Sequence, residues 1–113
     1  MAKDDYHVIV YKILTYLYVQ LKNGADIDEK CLKHDGILFS INYRYWTYIM
    51  VNMLEQGYIT GITITKPWGQ DVIIEDLKEC EITPAGIEYL CDNSFMAKAK
   101  QFMKDVKKIT PFI

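Results

Sequence analysis

Between Tyr6 and Val19 the chain is apolar nearly all round, interrupted only by His7, Lys12 and Thr15. A helix on the surface of a globular domain shows one apolar stripe and one polar face. This stretch has no polar face wide enough to meet water, so the helix predicted from about Asp5 to Lys22 must be covered on two sides. The C-terminal helix or a second copy of the protein would supply the second cover. Asp4 and Asp5 are its N-cap candidates and Asn23-Gly24 its stop. A chain of 113 residues buries one core and little more, so a helix of this kind sets the centre of the fold.

A short second helix is expected over Ile27–His34, capped by Asp26 or Asp28, with Ile27, Cys31 and Leu32 as a small apolar face. Asp35-Gly36 breaks it. A third helix is predicted from about Ile41 to Gln56, with Ser40 as N-cap and Gly57 as stop. In it Trp46, Ile49, Met50 and Met53 recur at three- and four-residue steps and face the core. Tyr58 to Thr65 alternates apolar residues with Thr and reads as a strand. Lys66-Pro67-Trp68-Gly69-Gln70-Asp71 is turn chemistry. The returning strand alternates best from Lys78 to Ile82, with Cys80 and Ile82 on one face and Glu79 and Glu81 on the other. Val72-Ile73-Ile74 belongs either to the hairpin or to a long tip. Thr83 caps a fourth helix with Pro84 at its first position, and Ile87 and Leu90 point inward. Gly86 inside that helix implies close packing, since a helical Gly costs about 1 kcal/mol against Ala. Asp92-Asn93-Ser94 ends that helix and caps a fifth, with Phe95, Ala99, Phe102, Met103 and Val106 on one face and lysines on the other.

Helix, short helix, helix, β-hairpin, helix is an order that resembles a winged helix-turn-helix, an α+β fold. Two segments carry the likeness. Leu54-Glu55-Gln56-Gly57-Tyr58-Ile59 is similar to the exit of a recognition helix into the first wing strand. Ile82-Thr83-Pro84-Ala85-Gly86 is similar to the Leu-Thr-Pro-x-Gly that follows the second wing strand in many regulators. Taken whole, the chain also resembles the YjcQ-like family of small proteins from Gram-positive bacteria and their phages. Gly61 to Lys66 and Glu79 to Pro84 suggest it, and the likeness covers nearly the full length. The resemblance implies a winged-helix fold and adds little about function. Residues 1–92 are read as the winged-helix domain, and 93–113 as a C-terminal amphipathic basic helix and tail.

The fold analogy points to duplex DNA as partner. Carried onto this sequence, Asn42, Tyr43, Arg44, Thr47 and Tyr48 would face the major groove, with Asn42 and Arg44 able to read base edges. Lys66, Trp68 and Gln70 would form the wing tip, and Lys30 and Lys33 would hold phosphates. Electrostatics favours neither reading cleanly, since the Lys-rich last helix compensates for the acidic domain only if it lies on the same side. Residues 1–92 hold eight Lys/Arg against fourteen Asp/Glu, a net of −6. Residues 93–113 hold Lys98, Lys100, Lys104, Lys107 and Lys108 against Asp105, a net of +4. DNA binders gather positive charge on one face. The alternative is therefore a protein-interaction module that uses Tyr43, Tyr45, Tyr48 and Trp68 as aromatic anchors, with Val72-Ile73-Ile74 as a further sticky element. A homodimer is compatible with either.

Catalysis finds no foothold in the sequence. His7 and His34 are far apart, read as surface helix histidines, and neither sits in a nucleophile motif. No Gly-rich phosphate loop, nucleophile elbow or HExxH is present. Cys31, Cys80 and Cys91 are widely spaced without a CxxC pair, which argues against a disulfide framework or zinc site and reads as small buried hydrophobes. Glu75, Asp76, Glu79 and Glu81 read as the wet face of a strand rather than a metal loop. No cofactor or small-molecule ligand is inferred. The chain opens without an apolar leader and has no run long enough to span a membrane, so a reducing cytoplasm is the expected compartment.

Overall fold

A computed structural model describes residues 5–92 of the chain. The first helix, α1, spans Tyr6–Asn23 and is closed by Gly24 in the left-handed conformation. Every residue from Val8 to Leu17 is buried, including Lys12 and Thr15. Among the described elements α1 packs on the third helix, the last strand and the last helix, so it occupies the centre of the core. The Lys12 ammonium donates to the Leu38 carbonyl at 3.2 Å, which compensates part of the cost of its burial. The Tyr16 hydroxyl accepts from the Asp28 amide at 2.9 Å and ties the following loop back to α1.

The second helix, α2, covers only Glu29–Leu32, shorter than the Ile27–His34 expected. Asp28 caps it through the Lys30 amide, and Leu32 is fully buried. The third helix, α3, runs over Tyr43–Glu55. Its cap is Asn42, not Ser40: the Asn42 side-chain oxygen accepts from the Tyr45 amide at 2.8 Å. The helix therefore starts two residues later than the sequence pattern suggested. Trp46, Ile49, Met50 and Met53 are buried as their spacing required, and the Trp46 indole donates to the Leu32 carbonyl at 2.7 Å.

The hairpin is broken into two ladders. Strand β1, Ile59–Thr60, pairs antiparallel with β4, Glu81–Ile82; strand β2, Thr63–Thr65, pairs with β3, Ile73–Glu75. Val72-Ile73-Ile74 thus feeds and forms the return strand of the outer ladder. Between the ladders lies a 3₁₀ turn over Leu77–Glu79, where regular strand alternation was expected. Asp76 opens it in a left-handed conformation, and its carboxylate accepts the Thr63 hydroxyl at 2.6 Å. Leu77 and Cys80 are both buried because residues three apart share a face in a 3₁₀ turn; Cys80 and Ile82 are both buried because residues two apart do so in a strand. Gly61, with φ of +97°, lies opposite the turn. A Cβ there would sit 1.9 Å from the Glu79 carbonyl oxygen, so only glycine lets the two chains pass.

The last described helix, α4, spans Pro84–Cys91. Its first residues lock onto the exit of α3. The Thr83 amide donates to the Tyr58 carbonyl at 3.0 Å, the Thr83 hydroxyl donates to the Gly57 carbonyl, and that hydroxyl accepts from the Gly86 amide at 3.1 Å. Gly86 is helical but has no room for a side chain: a Cβ would lie 2.4 Å from the Tyr58 oxygen and 2.8 Å from Ile82 Cγ1. The close packing inferred from the sequence is here. Leu90 is buried and Ile87 half-buried. The helix expected over residues 93–113, with Phe95 through Val106, lies outside the described residues. With α1–α3 followed by a hairpin and α4, the architecture is that of a winged helix.

Two expectations about single residues change. Cys80 is buried, Cys31 half-buried, and Cys91 exposed, so Cys91 is not a core hydrophobe. Burial, with Glu81 nearby, pushes the Cys80 thiol up to about 12 from its ordinary 9.0. The unfolded chain ionises first, so this group's contribution to stability is whole below pH 9.0 and is lost as pH climbs toward 12. His34 follows α2 in a turn and is half-buried, with its ring edge-on to Tyr43 at 5.4 Å.

Gly86→Ala will destabilise the protein by about 1–3 kcal/mol through overpacking. Thr83→Ala will cost about 1–2 kcal/mol through the lost cap, with Thr83→Ser recovering most of it; urea unfolding reads all three. A thiol reagent at pH 8 will label Cys91 rapidly and Cys80 only at the rate of unfolding. Equal labelling of the two would contradict the burial of Cys80.

Candidate nucleic-acid interface

The outer face of α3 and the outer ladder of the hairpin form the two walls of an open cleft of about 320 Å³. Arg44, Thr47, Tyr48, Val51 and Asn52 line one wall; Lys66, Gln70, Asp71 and Val72 line the other. Beside this cleft the chain just before β3 is tied to α3. The Tyr43 hydroxyl donates to the Val72 carbonyl at 2.7 Å, and the Tyr43 ring packs on Trp46 at 5.5 Å and on His34. The aromatic anchor thus continues from the wing to the buried indole and through it to α2.

The five residues expected to face the groove separate in the structure. Arg44 and Tyr48 project from α3, Tyr48 with 60% of its surface exposed. Thr47 lines the cleft but is only 7% exposed, and its hydroxyl donates to the Arg44 carbonyl at 2.9 Å within the helix. Tyr43 is half-buried and its hydroxyl is committed to the wing. Asn42 is exposed, but its side-chain oxygen accepts from the Tyr45 amide as the α3 cap, which ties the group down at the helix N-terminus. Tyr45, counted with the exposed aromatics, is half-buried as well. Periodicity shows which residues leave the core face. It does not show which of those a neighbouring hairpin or a cap will occupy.

On the wing, Lys66 and Gln70 are exposed and Trp68 is 100% exposed. Lys30 and Lys33 are exposed too, but neither lines this cleft. Lys33 borders a second hollow beyond Tyr43 and Trp46, among Glu29, Asp35, Glu75 and Asp76. Asn52 reaches the cleft although its Nδ2 donates back to the Tyr48 carbonyl at 2.7 Å.

The residue that sequence reasoning missed is Asp71. Its carboxylate lies 3.9 Å from the Arg44 guanidinium across the mouth of the cleft, with both side chains mostly in water. An exposed pair of this kind adds little to stability, but it places a negative charge beside the only arginine of the described residues. No spacing rule in the sequence brings position 44 to position 71.

Burial raises the pKa of Tyr6, Tyr16, Cys31 and Tyr89 above their ordinary values. For Tyr89, neighbouring Tyr58, Tyr6 and Asp92 add to the effect, and its hydroxyl lies 2.8 Å from His7 Nδ1. Among the described residues no group of three or more His, Cys, Asp or Glu is arranged to hold a metal, and no helix is long and apolar enough to cross a membrane.

Tyr43→Phe will cost about 0.5–1.5 kcal/mol and will move the amide resonances of residues 72 and 73, the wing's point of attachment. Arg44→Ala will leave stability within about 0.5 kcal/mol of the parent. A large loss in Arg44→Ala would mean that the Arg44–Asp71 pair, not Tyr43, holds the wing.

Comparison with curated proteins and with solved structures returned no match. Residues 11–109 match the family described as YjcQ protein, which takes in the central helix, the recognition-type helix, the hairpin and the α4 joint. This chain belongs to the YjcQ protein family.

Proposed function

We propose that the protein binds duplex DNA with the face formed by α3 and the wing tip, as a winged-helix regulator and not as an enzyme. The observation that carries this reading is the cleft itself: exposed Arg44 and Tyr48 on α3 and exposed Lys66 and Gln70 on the hairpin loop line one open hollow. An α-helix about 10–12 Å across fits a major groove about 12 Å wide. Arg44 supplies the base-edge donor, and Lys66 and Gln70 supply backbone contacts.

A protein partner is the second reading, and charge favours it. The described residues carry seven Lys/Arg against thirteen Asp/Glu, and Asp71 offsets Arg44. A partner bound through Tyr48 and Trp68 would need no phosphate contacts.

The two readings diverge on salt. For the full chain at low ionic strength, a labelled mixed-sequence duplex will shift the amides of residues 44–52 and 66–71, and added salt will reverse the shifts. Arg44→Ala will weaken binding about tenfold or more, and Lys66→Ala will make the slope of log K against log salt shallower by about 1. Asp71→Asn will tighten binding several-fold by freeing Arg44. Unchanged amides at millimolar duplex would remove the DNA reading and leave the protein partner.

A further inference from the structure

The most exposed large apolar side chain described is Trp68, 100% exposed at the apex of the wing. Its position is not slack. Pro67 restricts the backbone before it, Gly69 follows with φ of +72°, and the Gln70 amide donates to the Pro67 carbonyl at 3.2 Å. Below this turn the β2–β3 ladder is paired at three successive positions, from Thr65↔Ile73 to Thr63↔Glu75. The indole is thus carried on an ordered turn, and none of the described residues covers it.

We propose that Trp68 is a wedge that enters the minor groove and stacks on a base step, opening the duplex there. This rests on the duplex reading above and deepens it. Three observations favour a nucleobase over a protein pocket as the surface the indole meets. The apex projects: Trp68 lies in the loop of residues 66–72, beyond the last ladder pair Thr65↔Ile73, where it can reach a minor groove while α3 takes the adjacent major groove. The same loop carries Lys66 and Gln70, a cation and an amide that reach toward phosphates, while its carboxylate, Asp71, is set against Arg44. A protein hot spot instead needs surrounding surface that shuts out water, and a hairpin apex offers none. Apolar wedges of this kind enter between base pairs most easily at flexible pyrimidine–purine steps.

The protein's two tryptophans make the test direct. Trp46 is buried with its Nε1 bonded to Leu32, so it reports on the core, and Trp68 reports on the ligand. The full chain is titrated with two fluorescently labelled duplexes, one with a central TA step and one a rigid A-tract. Anisotropy reads binding and indole emission reads stacking. The expected result is quenching that is absent in Trp68→Phe, tighter binding to the TA duplex, and a loss on the order of tenfold in Trp68→Ala with Trp68→Phe close to the parent. If anisotropy rises but the indole emission stays unquenched, or Trp68→Ala binds like the parent, the wedge is wrong while the duplex reading stands. If anisotropy does not rise with either duplex, both fall together, and the apex is a protein contact.

Discussion

Thr83 holds three backbone groups at once. Its amide meets the Tyr58 carbonyl, its hydroxyl donates to the Gly57 carbonyl, and the same hydroxyl takes the Gly86 amide. These groups belong to the end of α3, the start of β1 and the first turn of α4. Each would otherwise be a polar group near the core without a partner, a costly state. The joint closes only if Gly86 lets the backbone of Tyr58 come near, and it fixes Ile82 in register with Ile59. The direction in which α3 leaves the core and the root of the hairpin therefore follow from one side chain and one missing side chain. The two sequence segments that resembled winged-helix regulators are the two halves of this contact.

The wing beyond that root is built on separate terms. At Gly61 and the 3₁₀ turn the hairpin changes course, so the inner ladder does not dictate the outer one. The outer ladder is aimed by the Tyr43–Val72 hydrogen bond and by the packing of Tyr43 on Trp46 and His34. This arrangement uses up side chains that a bare recognition helix would offer to a ligand. It leaves a sparse interface of Arg44, Tyr48, Lys66, Gln70 and Trp68, with Asp71 set against its arginine. On the proposed duplex reading, such a surface has few charges with which to hold phosphate, so its shape and its apical indole would weigh more than in a strongly basic domain.

Where the pattern along the chain misled, the cause lay in contacts distant in sequence. Leu77 to Ile82 reads as one alternating strand, but Leu77 is drawn into the core beside α2 and winds the backbone into a 3₁₀ turn first. Ser40 and Asn42 are both good caps on propensity. The loop after α2 returns through the Ile41 amide to the His34 carbonyl at 2.8 Å, and α3 begins only after it. Tyr43 and Thr47 flank the core stripe of α3, three residues before Trp46 and Met50, and both are drawn inward, Tyr43 onto Trp46 and His34 and under the Val72 carbonyl.

The sequence by itself determined the α+β order, the central position of α1, the core stripe of α3, the Thr83-Pro84 start of α4 and the need for glycine at position 86. These depend on periodicity, capping and backbone sterics, which act over a few residues and so are written locally. Tertiary structure alone decided which residues on the outer side of α3 stay exposed, where the hairpin breaks, and that Asp71 faces Arg44. Those outcomes depend on how two elements separated by the whole wing come to lie against each other, and no local rule carries that distance.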